Sequence, residues 1–349
     1  MSTEMRVRLF NMIAALFWKL GLPTQLFLWL AHPNTFRHLR VHRGAIVLAS
    51  EIKIRGRVSV HAGTKVLCER LVLGRGIEIR KGASIVTREV ILGDGVQIDD
   101  GVQAEGGFRK SARLSVGEGA WVFQNTILNS TCGLSIGNWS GIGGNCMIWT
   151  HGSWQSELDG FPTKYAATEI GNNVWLPWHV IVMPGVKIGD NSTLAAGSTI
   201  VKSIPANSLA VGSPATAIKS GLGQWPTPIS QNAQDFFSKK LDEFMADPFY
   251  QEGHSILWRM SQSGPIRQLR VVWDEFGDSI SGAEEQTLYI CRNANLSRLV
   301  AERVAFLDIG HRRFSVPSND KTIRSFLGFL TNFGIRGLDL SSGCPSHRC

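Results

Sequence analysis

His151 stands in the pentapeptide THGSW, Thr150 to Trp154, where a regular pattern in the chain breaks open. A histidine side chain ordinarily titrates near about 6.5, so it can take up and release a proton at neutral pH. In an isolated loop it would be no more than a polar surface residue, and only its surroundings can raise it to a candidate for proton transfer. Lys202 and Lys219 offer ammonium groups of the kind that pair with phosphate as point charges, although each taken singly reads as solvated surface charge. The six cysteines, at 68, 132, 146, 291, 344 and 349, form no CxxC pair, and no set of three ligands has metal-binding spacing, so no metal site is expected.

The elements that must position these residues follow from composition and period. A chain of 349 residues suggests about two domains. Its 37 glycines, without a collagen period, imply many tight turns. The net charge of +8 and a pI near 9.4 point to an anionic partner such as a phosphate-bearing cofactor or a membrane surface, or simply to a solvated basic face. Nucleic acid is disfavoured, because the basic residues are scattered rather than interleaved with aromatics. With no secretory signal pattern, reduced thiols and a cytoplasmic location are expected. The closing CPSHRC reads as a frayed terminus.

From residue 54 to residue 200, aliphatic residues recur every six positions, most cleanly as Ile170, Leu176, Val182, Ile188, Leu194 and Ile200. That period fits neither an amphipathic helix nor a hairpin ladder. It fits a solenoid in which each six-residue unit is one short strand and a turn, three units make a coil, and the aliphatic residue points to the axis. Grouping by three gives about seven coils with two insertions, a small one at 105 to 115 and a longer one at 149 to 169 that begins beside His151.

The segments IGNWSGIGGNCMIWTHGS and EIGNNVWLPWHVIVMPGVKIGDNSTLAAGSTIVKSIPANSLAVGSPATAIK resemble the hexapeptide-repeat acyltransferases, in particular their CoA-dependent sugar and xenobiotic O-acetyltransferase branch. The resemblance spans about residues 54 to 220 and is strongest from 115 onward. It implies a left-handed parallel β-helix, a homotrimer with sites between neighbouring prisms, and acetyl-CoA as acyl donor. Handedness comes from the resemblance alone, since left-handed crossovers run against the usual rule. His151 falls at the place of the family's general base, at the root of the ejected loop. Gly152 and Ser153 follow it where Asp or Pro is frequent, so the group orienting the imidazole is open among Glu157, Asp159 and Glu169.

Carried over position by position, Ala196 lies beside the pantetheine arm, Val201 and Lys202 fall on the following turn, and Lys219 falls where a basic residue meets the nucleotide. Trp175 matches a family tryptophan at the acceptor side. Trp178 and Pro177 replace a small residue and a glycine at the site whose backbone N–H faces the thioester oxygen, an oxyanion-hole role. The Trp178 indole either narrows the groove or stacks on the acceptor. Thr216 stands where arginine is frequent. Asn125, near Phe123, falls in the sugar-contacting region or belongs to an asparagine ladder inside the coil, and His179 in LPWHV stands close enough to Trp178 to line the same cavity.

The chain is therefore expected to be mainly β in three parts. Residues 1–44 are a helical segment, with apolar 5–31 capping the prism or lying on a membrane surface ahead of the basic run RHLRVHR. Residues 45–220 are the β-helix. Residues 221–349 form an α+β domain, with helices near 231–246 and 319–331 and strands at LRVVW, TLYIC and VAFLDI. The function expected from the resemblance is O-acylation of a hydroxyl on a sugar or glycan precursor; N-acylation of an amino sugar, or a non-catalytic scaffold, are the alternatives.

Overall fold

The computed structural model describes residues 38–153, 155–221, 226, 233–246, 270–273, 287–291, 305–308, 312–315, 321–331, 335 and 338–339. The chain divides into two compact units, Met1–Pro228 and Ile229–Cys349.

The first unit is a parallel β-solenoid with three strand faces. On the first face, Leu39–Val41, Val58–Val60, Ile77–Ile79, Gln97–Ile98, Trp121–Val122, Gly141–Ile142, Trp175–Leu176, Thr193–Leu194 and Ser208–Gly212 pair in that order, all in parallel. The other two faces are parallel ladders within one sheet, joined where Ile46–Ile54 and Lys65–Leu73 run through the corner without a turn. Register stacks one aliphatic residue of each coil on the next, and the column Val60, Ile79, Ile98, Val122, Ile142, Leu176 and Leu194 is fully buried. Burying such a side chain stabilises by about 1.5–3 kcal/mol, so the axial columns are the main support of the prism.

Coil count differs from the sequence expectation. A coil built from Leu39–Val41 and Ile46–Ile54 precedes the first expected one, so residues 38–44 are prism, not helical segment, and Leu39 and Val41 are buried. The groups expected from Ile54 onward agree with the register, Ile54 standing opposite Leu73, Val60 opposite Ile79 and Val66 opposite Ile85; the coil before them was missed because its nine-residue strand lacks the corner glycine that marks the period elsewhere. The remaining segment, 1–37, lies outside the described residues, as do the 5–31 cap or membrane surface and the terminal CPSHRC. No helix among the described residues is long and apolar enough to cross a membrane. At the far end Ala215–Ser220 folds back antiparallel on Ser208–Gly212, with an irregularity between Leu209 and Ala210.

The second unit holds helices Ala233–Ala246 and Lys321–Thr331 and a five-stranded sheet in chain order: Arg270–Trp273, Thr287–Cys291, Ala305–Asp308, Arg313–Ser315 and Leu338–Asp339. Ala305–Asp308 and Arg313–Ser315 pair antiparallel and the other neighbours parallel. Its core joins Phe244, Leu288, Leu307, Phe314, Phe326 and Leu330, with the Phe244 and Phe326 rings edge to face at 5.4 Å.

Candidate active site

The second face of the prism ends at two corners, and the candidate residues divide between them. His151 lies at the corner beyond Met147–Ile148, where the chain leaves the coil as a two-stranded arm, His151–Gly152 against Lys164–Tyr165, with His151 directly opposite Tyr165. Thr168 then rejoins the third face beside Leu134. Three hydrogen bonds hold the root: Ala166 N–H donates to Thr150 O at 2.9 Å, Thr168 Oγ1 to Trp149 O at 2.7 Å, and Thr168 N–H to Gly133 O at 3.1 Å. The tip is open, and Leu158 is fully exposed.

The orienting group is Asn129. Its Oδ1 stands 3.0 Å from His151 Nδ1. The Thr150 backbone N–H, which can only donate, is 3.3 Å from the same atom, and the Thr150 hydroxyl donates to it as well. That atom is therefore the amide oxygen and His151 Nδ1 donates to it, so that in the neutral imidazole Nε2 keeps its lone pair. Asn129 is buried and donates from Nδ2 to Thr131 Oγ1 at 3.3 Å, while Thr150 Oγ1 accepts the Cys132 N–H at 3.1 Å. The imidazole stacks on Tyr165, with ring centroids 5.4 Å apart and planes 14° from parallel. Tyr165 Oη bonds Ser153 Oγ at 2.9 Å, and the Arg109 guanidinium lies 5.5 Å from the Tyr165 ring centroid.

The carboxylates expected to orient His151 are engaged elsewhere or not in contact. Glu157 accepts the Thr163 hydroxyl, Glu169 pairs with Lys187 at 2.9 Å on the third face, and Asp159 sits in the 3-10 turn of the arm without a bond to the imidazole. Of the six cysteines, Cys68, Cys132 and Cys146 have described side chains, and none of these three is favoured as a thiol nucleophile. Burial pushes Cys68 up to about 12 and Cys146 up to about 11, and burial also raises Cys132, against the nearby charge of Arg109. Among the described residues no group of three His, Cys, Asp or Glu side chains is placed to hold a metal ion.

The other corner is aromatic. Phe123 stacks on Trp121 at 4.8 Å, and meets Trp175 at 6.0 Å and Trp178 at 5.4 Å. Glycines make room for the two tryptophans: a Cβ on Gly141 would lie 2.6 Å from Trp175 Cε3, and one on Gly144 would lie 2.8 Å from Trp178 Nε1. Asn125, Asn145 and His179 share one left-handed turn column, with φ of 55°, 56° and 61°. Asn125 is exposed, so it forms no ladder inside the coil, and His179 is the bulky exception in a column that otherwise suits Gly or Asn. Each turn bonds through the residue after it, as His179 N–H does to Gly144 O and Gly197 N–H does to Trp178 O. The N–H groups of Gly144, Trp178 and Ala196 find no acceptor among the described residues and form a row of open donors.

Trp175, Trp178, Ala196 and Asn125 thus share one corner. Val201 and Lys202 lie on the His151 corner, both exposed, where Met183 N–H bonds Ile200 O one coil after Trp149 N–H bonds Val182 O. Lys219, also exposed, is in the terminal antiparallel strand opposite Leu209. Within one chain the two corners bound opposite edges of the second face. Asn129, Tyr165 and Arg109 escaped sequence reasoning; the one available signal was that Asn129 follows the axial Leu128, which stands in register with Ile148.

The family description "Bacterial transferase hexapeptide (six repeats)" matches residues 167–202, the two coils that follow the arm. This stretch is similar to the hexapeptide-repeat transferases. Galactoside O-acetyltransferase of Escherichia coli (strain K12) is 54% identical to this chain over 50 residues, 14% of the chain and 25% of that protein. The chain thus spans about a quarter of the length of the curated relative it matches. Among solved structures, a galactoside acetyltransferase in complex with coenzyme A is 26% identical, with 42% of this chain and 70% of that chain covered and a TM-score of 0.35. A maltose O-acetyltransferase from Clostridium difficile 630 is 28% identical, with 38% and 66% covered and a TM-score of 0.31.

Proposed function

We propose that the protein is an acetyl-CoA-dependent O-acyltransferase acting on a hydroxyl of a sugar or glycan precursor, with His151 as general base. The observation that carries this reading is the Asn129 amide oxygen on His151 Nδ1, which leaves Nε2 free to accept a proton. An alcohol is a poor nucleophile until its proton is removed as the bond forms, and a positioned base contributes about 10²–10⁴-fold. The name of the Escherichia coli relative supports the choice of an O-linked sugar acceptor.

Acetyl-CoA supplies the acetyl group when bound. The chain's own fit to it is the row of open N–H donors at Gly144, Trp178 and Ala196, suited to amide and thioester oxygens, with Val201 and Lys202 on the opposite corner of the face. Lys202 and Lys219, exposed and without carboxylate partners among the described residues, are the phosphate partners in this reading. Because donors and base sit on opposite edges of one face, the reading also calls for a homotrimer in which the aromatic corner of one prism meets the histidine corner of the next. N-acylation of an amino sugar would use the same base.

The scaffold reading rests on one observation, the exposed Trp178 ring laid over the Gly144 turn where a small residue would leave the groove open. Calorimetric titration with acetyl-CoA separates the two. Micromolar binding together with acetylation of a galactoside or glycan acceptor, both measured on the full chain, is expected; no binding at millimolar donor would leave the scaffold.

A further inference from the structure

The two insertions of the solenoid meet at one ring. Arg109 belongs to the small insertion after Gln103–Gly107, and Tyr165 to the long arm. The Arg109 guanidinium carbon lies 5.5 Å from the Tyr165 centroid and the His151 imidazole lies 5.4 Å from it, so a cation and the proposed base rest against the same side chain. Elsewhere on the coils, arginines are neutralised: Arg55 and Arg75 bond Asp94, Arg70 bonds Glu89, Arg80 bonds Asp99 and Arg88 bonds Glu69, all at 2.5–2.9 Å. Arg40, Arg43 and Arg57 near the first coil likewise have no ion pair among the described residues, but they do not stand on a ring beside a candidate base. No carboxylate of the described residues pairs with Arg109, although Glu105, in register with Asn129, is close along the chain. Lys110 and Lys164, both exposed and without ion pairs among the described residues, add positive charge to the same two insertions.

A guanidinium laid on an aromatic ring keeps its N–H edge free, and that planar fork matches the two oxygens of a carboxylate or phosphate. Stacking also restricts the side chain before any ligand arrives, which lowers the ordering cost of binding. We infer that Arg109, held on Tyr165, is the acceptor-selecting residue of the site and that the acceptor is an acidic saccharide, carrying a carboxylate or a phosphate within a sugar or two of the acylated hydroxyl. This rests on His151 being the base. A purely mechanical role, tying the two insertions together, would need the ring contact but not the charge.

The test measures binding of matched twins to the full chain without acyl donor, by ligand-observed NMR at low salt: methyl β-glucoside against methyl β-glucuronide and glucose 6-phosphate, and lactose against sialyllactose. Acidic members should bind about tenfold more tightly than their neutral twins, as charge-assisted hydrogen bonds allow. Carboxylate and phosphate arms distinguish the two anion chemistries. Arg109→Gln should bring the ratio to about one, Arg109→Lys should keep part of it, and Tyr165→Phe should keep all of it. A ratio near one in the unaltered protein, including no detectable binding of any acid, would overturn the inference, as would a ratio that survives Arg109→Gln. If acids bind but no acyl transfer to any twin occurs, the acyltransferase reading fails while the anion site stands. If neutral and acidic twins are acetylated alike, with Arg109→Gln indifferent, the reverse holds.

Discussion

The two corners of the second face are built from the same six-residue unit and have become chemically opposite. At the histidine corner the useful atom is a side-chain nitrogen, oriented by a buried amide that collects three donors. At the aromatic corner the useful atoms are backbone N–H groups left open by the turns, and the side chains form a wall of stacked rings. The difference teaches how a solenoid acquires a site: where a buried polar residue follows the axial one, a side chain of the next coil can be aimed, and where the turns repeat unbroken, the backbone itself becomes a row of donors.

The comparison breaks most visibly at His151. His151→Ala is expected to lower transfer by about 10²–10⁴-fold while donor affinity, read by calorimetry, stays within about twofold, since the imidazole is not among the groups assigned to the donor. Equal loss of both would mean that the corners are not separable. A smaller effect is expected at Asn129. Asn129→Leu removes the acceptor of three bonds, and leaving the buried Thr150 N–H and hydroxyl unpaired should cost about 1–3 kcal/mol in stability. The rate should fall about ten- to a hundredfold with acceptor KM little changed, and Asn129→Asp, which keeps an acceptor oxygen, should recover most of it. Failure of the Asp variant to rescue would show that Asn129 is structural only. The smallest effect is expected at the aromatic corner, where Trp178→Gly keeps the N–H and removes the ring, so donor affinity should be unchanged or improved by a few fold. A large loss would make the indole itself the contact.

The axial columns were legible because register repeats them: Ile142 stacks between Val122 and Leu176, and each lies six residues from its neighbours along the chain. The first coil was not, since its long strand passes a corner without a glycine. The place of His151 was legible as the point where the period stops, whereas its partner was not, because Asn129 reaches it across a coil and the eye favours a carboxylate for that role. Arg109 and Tyr165 were hidden for a related reason: they lie in separate insertions, and only the stacking of coils brings those insertions together. The strands and helices of the second unit fall close to their expected places, but no residue there carries a motif.

The antiparallel return of Ala215–Ser220 has a consequence for the protein as a material. A ladder of parallel strands can in principle be continued by the next molecule, one rung at a time, into a filament. Reversing the last strand presents an edge of the wrong polarity for such growth, and Lys219 sets a charge on that edge. By this device one of the three ladders of an architecture that repeats indefinitely in principle is given a last rung.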